Sequence, residues 1–173
     1  MNSPPDAAMG PAHILKCELA SEVLRSSGKL RLGVTGWSML PTVWPGDTLV
    51  VERASPDQIR VGDVVVIARD GKLCEHRVVS IPEEAGNRRW ITRGDALPVV
   101  DRPVLENQLL GRASYLIRAG KLIPVPTELS VVEQLIAKIV RRSVPAARAL
   151  VYLHRKTHIP EKSAPEESVP CQS

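Results

Sequence analysis

The dipeptide Asp70-Gly71 stands between two apolar runs, VVVIAR (64–69) and KLCEHRVV (72–79). Both turn positions of a two-residue hairpin favour residues that tolerate positive φ, so this arrangement predicts a β-hairpin. The texture around it is the same from Lys29 to about Arg118: short apolar runs broken by Gly, Pro and Asp. It predicts strands at Leu30–Val34, Thr48–Arg53, Asp63–Arg69, Cys74–Ile81, Arg89–Arg93 and Leu109–Ile117. Strands at such short spacing define a mainly β chain built on an antiparallel β-domain. No internal repeat is evident.

Composition agrees with that class. The 173 residues suit one domain with appendages, since domains cluster near roughly 100 to 150 residues. Phe is absent and aromatics make up 3% of the chain, so aliphatic side chains must build the core, and 15 prolines favour turns over a helical bundle. A net charge of +4 permits weak attraction to an anionic surface but identifies no partner, and nucleic acid is not expected. Cys17, Cys74 and Cys171 are far apart and odd in number, which argues against a disulfide framework and for a reducing compartment. The N-terminus MNSPPDAAMGPAH has no basic n-region or apolar h-region, and no window approaches the roughly 18 apolar residues of a membrane span. The expectation is a cytoplasmic chain, soluble or peripheral at a membrane.

The chain divides into four parts. Residues 1–28 comprise a disordered start and a helix over His13–Arg25, with Leu15, Leu19 and Val23 as its apolar stripe, Ile14 and Leu24 beside it, and Ser26, Ser27 and Gly28 as its stop. Residues 29–126 form the β-domain. In 127–156, Thr127 caps a helix with the stripe Leu129, Val132, Ile136 and Ile139, flanked by Leu135 and Val140, and after Pro145 a second basic amphipathic segment runs from Ala146 to Lys156. These segments either cover the β-domain as a helical hairpin or lie on anionic lipid through a peripheral contact at 128–156. Residues 157–173 are polar and Pro-rich, as in a disordered tail.

Chemistry concentrates in GVTGWSMLPTVWPGDTLVV (33–51), where Ser38 sits in a glycine-flanked turn before a strand. A serine nucleophile needs a base, and the β-region offers His76, on the same strand face as Val78 and opposite to Arg77 and Val79. Asp95, in a Gly-Asp turn, and Asp101, before Arg102, are the two carboxylates available to orient that imidazole; spacing does not choose between them. The bland alternatives are turn chemistry for Asp95 and a salt bridge to Arg102 for Asp101. Cys74-x-His76 supplies two metal ligands without a second pair, so neither a metal nor a cofactor is expected.

Gly36-Trp37-Ser38-Met39-Leu40-Pro41, Gly46-Asp47, Gly62-Asp63-Val64-Val65, His76-Arg77-Val78-Val79, Thr92-Arg93-Gly94-Asp95, Asp101 and Leu110-Gly111-Arg112 form an ordered series that resembles the type I signal peptidase family. The bacterial type commonly uses a Ser-Lys dyad, and the endoplasmic-reticulum-like type has His in place of the lysine. The resemblance therefore implies a serine endopeptidase of the Ser-His branch, with Ser38 as nucleophile, His76 as base and Asp101 as orienting acid, Asp95 in reserve. It implies an extended peptide or protein substrate along a strand edge, with Thr35, Gly36, Trp37, Met39 and Leu40 around the oxyanion and substrate pocket.

Two departures accompany the match. The family usually carries Ser-Gly before the catalytic serine, whereas this chain has Gly36-Trp37, so the hydroxyl that assists the oxyanion is absent unless Thr35 replaces it. Losing one such donor costs about 10²-fold or more in rate. The membrane anchor usual in the family is also missing from the pattern. Two competing readings follow: a self-cleaving repressor, which has a lysine base and a preceding helix-turn-helix, and a peptide-binding or scaffold module on the same fold.

Overall fold

The structure, a computed structural model, describes residues 11–84, 86–143 and 150–152. The expected disordered start before Pro11, most of the second amphipathic segment and the tail at 157–173 lie outside the described residues. At the centre, β3 (Val64–Arg69) and β4 (Lys72–Ser80) form the expected hairpin, with Asp70 at φ 50° and Gly71 at φ 64°. The four residues Val64 to Ile67 are all buried because they serve both faces of the sheet. Val64 and Val66 join one core cluster with Leu49, Val51, Ala113 and Leu116, while Val65 and Ile67 join another with Ile59, Val78, Trp90 and Val104.

The other strands are β1 (Lys29–Gly33), β2 (Thr48–Glu52), β5 (Glu83–Glu84), β6 (Asn87–Arg88), β7 (Ile91–Arg93), β8 (Leu109–Arg118) and β9 (Lys121–Pro124). Together with β3 and β4, five of them form one seven-stranded antiparallel sheet in the order β1-β2-β8-β3-β4-β7, with β9 on β8; β5 and β6 make a separate hairpin. One edge of β8 pairs with β2, and the other is divided between β3, through Leu109 to Arg112, and β9, through Tyr115 to Arg118. Sequence reading missed β9 and the β5–β6 hairpin, which are short and lack the alternating pattern.

Two turns repeat one design. In Trp44-Pro45-Gly46-Asp47 and Arg60-Val61-Gly62-Asp63 the glycines have φ of 102° and 97°. Each aspartate accepts at 2.8 Å from the backbone N–H three residues earlier, Trp44 or Arg60. Each turn feeds an apolar strand, β2 or β3, and each aspartate meets an arginine of β8: Asp47 with Arg118 at 2.6 Å and Asp63 with Arg112 at 3.8 Å.

Helix α1 (Pro11–Ser27) stops where expected, with the Gly28 N–H on the Leu24 carbonyl at 3.0 Å. Its buried face differs from the expected stripe. Cys17, Ala20 and Leu24 are buried, whereas Leu15 and Leu19 are more than 60% exposed. The tight passage through Gly28 into β1 fixes the rotation of the helix, and the small Cys17 and Ala20 let it approach the sheet closely.

Helix α2 (Val131–Arg142) starts at Ser130 and not at Thr127. The preceding segment is held by other contacts: the Pro126 carbonyl accepts from Arg77 Nη1 at 2.6 Å, and a Cβ on Gly62 would come within 2.6 Å of the Thr127 carbonyl oxygen. A capping box closes the N-terminus, with Ser130 N–H donating to Glu133 Oε2 at 2.8 Å and Glu133 N–H to Ser130 Oγ at 3.3 Å. Ala137 and Val140 are buried, and Val140 meets Leu40 and Ala96, with Ile136, Leu150 and Val151 around them. The expected stripe is again displaced: Val132, Leu135 and Ile139 face solvent. No helix among the described residues is long and apolar enough to cross a membrane.

Candidate active site

His76 lies on β4 opposite Val65 and is 8% exposed. Its Nδ1 is 2.6 Å from Asp101 Oδ2, and the same oxygen accepts from Thr92 Oγ1 at 2.7 Å. Thr92, on β7 and fully buried, also receives the Asp101 N–H on its carbonyl at 2.8 Å, so backbone and side chain together fix the carboxylate. Burial raises the Asp101 pKa, but hydrogen bonds from His76 and Thr92 and the charges of His76 and Arg69 outweigh it and hold the carboxyl below its ordinary range. An ionised carboxylate only accepts, so the imidazole keeps a proton on Nδ1 toward Asp101, and Nε2 is the nitrogen left to face other groups.

Asp95 has a different task. Arg77 grips it with Nε on Oδ1 and Nη2 on Oδ2, both at 2.9 Å, and Thr42 Oγ1 donates to Oδ2 at 2.5 Å. Arg77 and Asp95 are both buried, and Arg77 Nη1 also reaches the carbonyls of Gly62 and Pro126. Asp95 is thus committed to the scaffold and Asp101 is the partner of His76. Arg102 takes no part in either pair: its carbonyl accepts from Arg69.

The Ser38 segment is bound to this scaffold at several points. The Ser38 carbonyl accepts from the Ala96 N–H at 2.8 Å, and a Cβ on Gly94 would lie 2.6 Å from the same oxygen, so only glycine permits the approach. Gly94 is one step beyond Arg93, which pairs with Arg77, so Ser38 packs at the end of the β4–β7 ladder that carries His76. Thr42 ties the same segment to Arg77 and Asp95, and Arg118 fastens it through Asp47 and the Thr42 carbonyl. Among the described residues Ser38 Oγ has no hydrogen-bond partner.

The expected pocket residues separate into two groups. Thr35, Gly36 and Trp37 are exposed, and a Cβ on Gly36 would meet nothing within 4 Å. Met39 and Leu40 are 2% and 0% exposed. Met39 belongs to the core cluster under α1 and Leu40 to the one under α2, so neither presents a surface to a bound peptide, and their assignment as pocket walls is corrected.

Two residues were undervalued in the sequence. Arg77 is the clamp between β4 and the Ser38 segment, and its signal was a charged residue inside an apolar strand, which demands a buried carboxylate. Thr92 is the second donor to Asp101; its only signal was a place in the Thr92-Arg93-Gly94-Asp95 block. Cys74 lies near this group, and burial, followed by the Glu75 and Asp101 charges, raises its thiol pKa. It remains a protonated thiol.

An imidazole oriented by an ionised carboxylate thus stands on the ladder at whose end the Ser38 backbone is anchored. Residues 10–92, just under half the chain, match the family model described as Peptidase S24-like. The superfamily takes in self-cleaving repressors and signal peptidases, and its mainly β fold agrees with the antiparallel sheet and N-terminal helix found here. The matched stretch includes Ser38 and His76 and ends before Asp95 and Asp101. No curated protein matches the chain.

Proposed function

We propose that this protein is a serine endopeptidase of the signal-peptidase type, acting on extended peptide through Ser38 and His76, with Asp101 as orienting acid. The observation that carries this reading is the Thr92–Asp101–His76 chain of short hydrogen bonds at the end of the ladder where the Ser38 backbone is seated. His76 Nε2 takes the proton of Ser38 Oγ as the oxygen attacks a peptide carbonyl. The imidazolium formed is stabilised by Asp101 and gives its proton to the leaving amine. Water then hydrolyses the acyl-enzyme by the same proton transfers in reverse. The Ser38 N–H serves the oxyanion, and exposed Trp37 and Thr35 border the approach.

Histidine at position 76 favours the endoplasmic-reticulum-like branch over the lysine-based self-cleaving repressors. A second reading, a peptide-binding module on the same fold, is favoured by one feature: Gly36 offers no hydroxyl to the oxyanion.

Labelling by a serine-directed acylating probe tests the proposal, with wild type compared to Ser38→Ala and His76→Ala after circular dichroism has shown all three folded. Labelling of wild type that both substitutions abolish is the expected result. Equal labelling of wild type and Ser38→Ala would overturn the hydrolase reading in favour of the binding module.

A further inference from the structure

Helix α2 buries one apolar face and leaves another in water. Val131, Val132, Leu135 and Ile139 are 82%, 67%, 59% and 52% exposed. At helical spacing they fall within an arc of about 100° on the side away from Ala137 and Val140. Lys138 and Arg142 border or enter this arc and have no carboxylate partner among the described residues. Glu133, the one acidic residue of the helix, is turned to the N-cap by its bonds with Ser130. The helix cannot roll to hide the exposed row. Its inner side is packed on Leu40 and Ala96, and Arg141 Nε donates to the Asp95 carbonyl at 2.9 Å.

From this face, apolar in its middle and bordered by cations, with Glu128 at its N-terminal edge beside Val131 and Leu135, we infer that α2 binds the surface of an anionic lipid bilayer. Apolar side chains would enter the acyl boundary while Lys138 and Arg142 meet lipid phosphates. A second copy of the chain fits less well, since two such faces would bring their Lys138 and Arg142 together. Because Arg141 joins α2 to the turn that holds Ser38, lipid binding would set the candidate site at a fixed height above the bilayer.

Co-sedimentation of the full chain with vesicles tests this without reference to peptidase activity, so its outcome is independent of the function proposed above. Binding is expected to vesicles of phosphatidylcholine and phosphatidylglycerol in a roughly 2:1 ratio, to weaken with salt, and to be far lower for phosphatidylcholine alone. Leu135→Asp and Ile139→Asp should each reduce binding about tenfold or more. Lys138→Gln should reduce it only for the anionic vesicles. All three positions are exposed, and unchanged circular dichroism would certify the fold. Wild type that stays in the supernatant with anionic vesicles would overturn the inference, as would variants that bind equally well. A lipid-free dimer broken by Leu135→Asp would also overturn it, assigning the face to a second copy.

Discussion

Asp101 Oδ2 accepts from both His76 and Thr92, and this sharing makes Thr92 a positioning residue in the proposed mechanism. Thr92→Val keeps the shape and removes the donor. The acylation rate should fall roughly tenfold with little change in the concentration of probe giving half-maximal rate, and Thr92→Ser should restore most of it. A purely structural role would instead lower stability and leave the rate per folded molecule intact. Gly36 permits the opposite experiment. A side chain there meets open space, so Gly36→Ser should raise the acylation rate about tenfold or more if its hydroxyl reaches the oxyanion. Ser38, His76 and both aspartates stood out as candidates from residue type and order. The resemblance put Asp101 ahead of Asp95, but spacing alone did not separate them, because the separation depends on which carboxylate Arg77 claims, a long-range pairing that spacing does not encode.

The expected strands were legible to within two residues because each begins or ends at a turn whose chemistry is local, as at Asp70-Gly71 and Gly62-Asp63, whereas the short β5, β6 and β9 were missed. The helices were located but their rotations were misjudged. Periodicity says that a face is apolar, whereas docking is decided by neighbours: Gly28 and Cys17 for α1, and Pro126, Thr127 and Arg141 for α2. Met39 and Leu40 show the same limit, since proximity to Ser38 in sequence did not reveal that they point into two different cores. Gly62 offers a test at this scale. Its φ is 97°, and a methyl group there would sit 2.6 Å from the Thr127 carbonyl oxygen, which leaves no room for alanine. Gly62→Ala should cost more than about 1 kcal/mol in chemical denaturation, and Ser130→Ala, which removes only the cap of α2, about 1 kcal/mol.

For the whole molecule, acid stability follows from the carboxylate that the site holds ionised. The Asp101 pKa is lower in the folded chain than its ordinary value, so the folded state binds fewer protons at this group. Its stabilising contribution is therefore complete above the ordinary aspartate range and is lost as pH falls through the depressed folded value. Urea midpoints measured from about pH 6 down to about pH 2 should decline for wild type, and part of that decline should be missing in Asp101→Asn. The buried Arg77–Asp95 pair acts on the same scale, since loss of either partner strands a charge between the base strand and the serine segment, at a cost of about 3–5 kcal/mol.

The twin Gly-Asp turns carry a kinetic consequence. Both reach β8, one through Arg118 and one through Arg112, so the segment bearing Ser38 and the approach to β3 share one strand among their anchors. A fluctuation that frees β8 loosens both at once, and the amide protons of Trp44 and Arg60, each held by its turn aspartate, would then exchange with solvent deuterium in a correlated way.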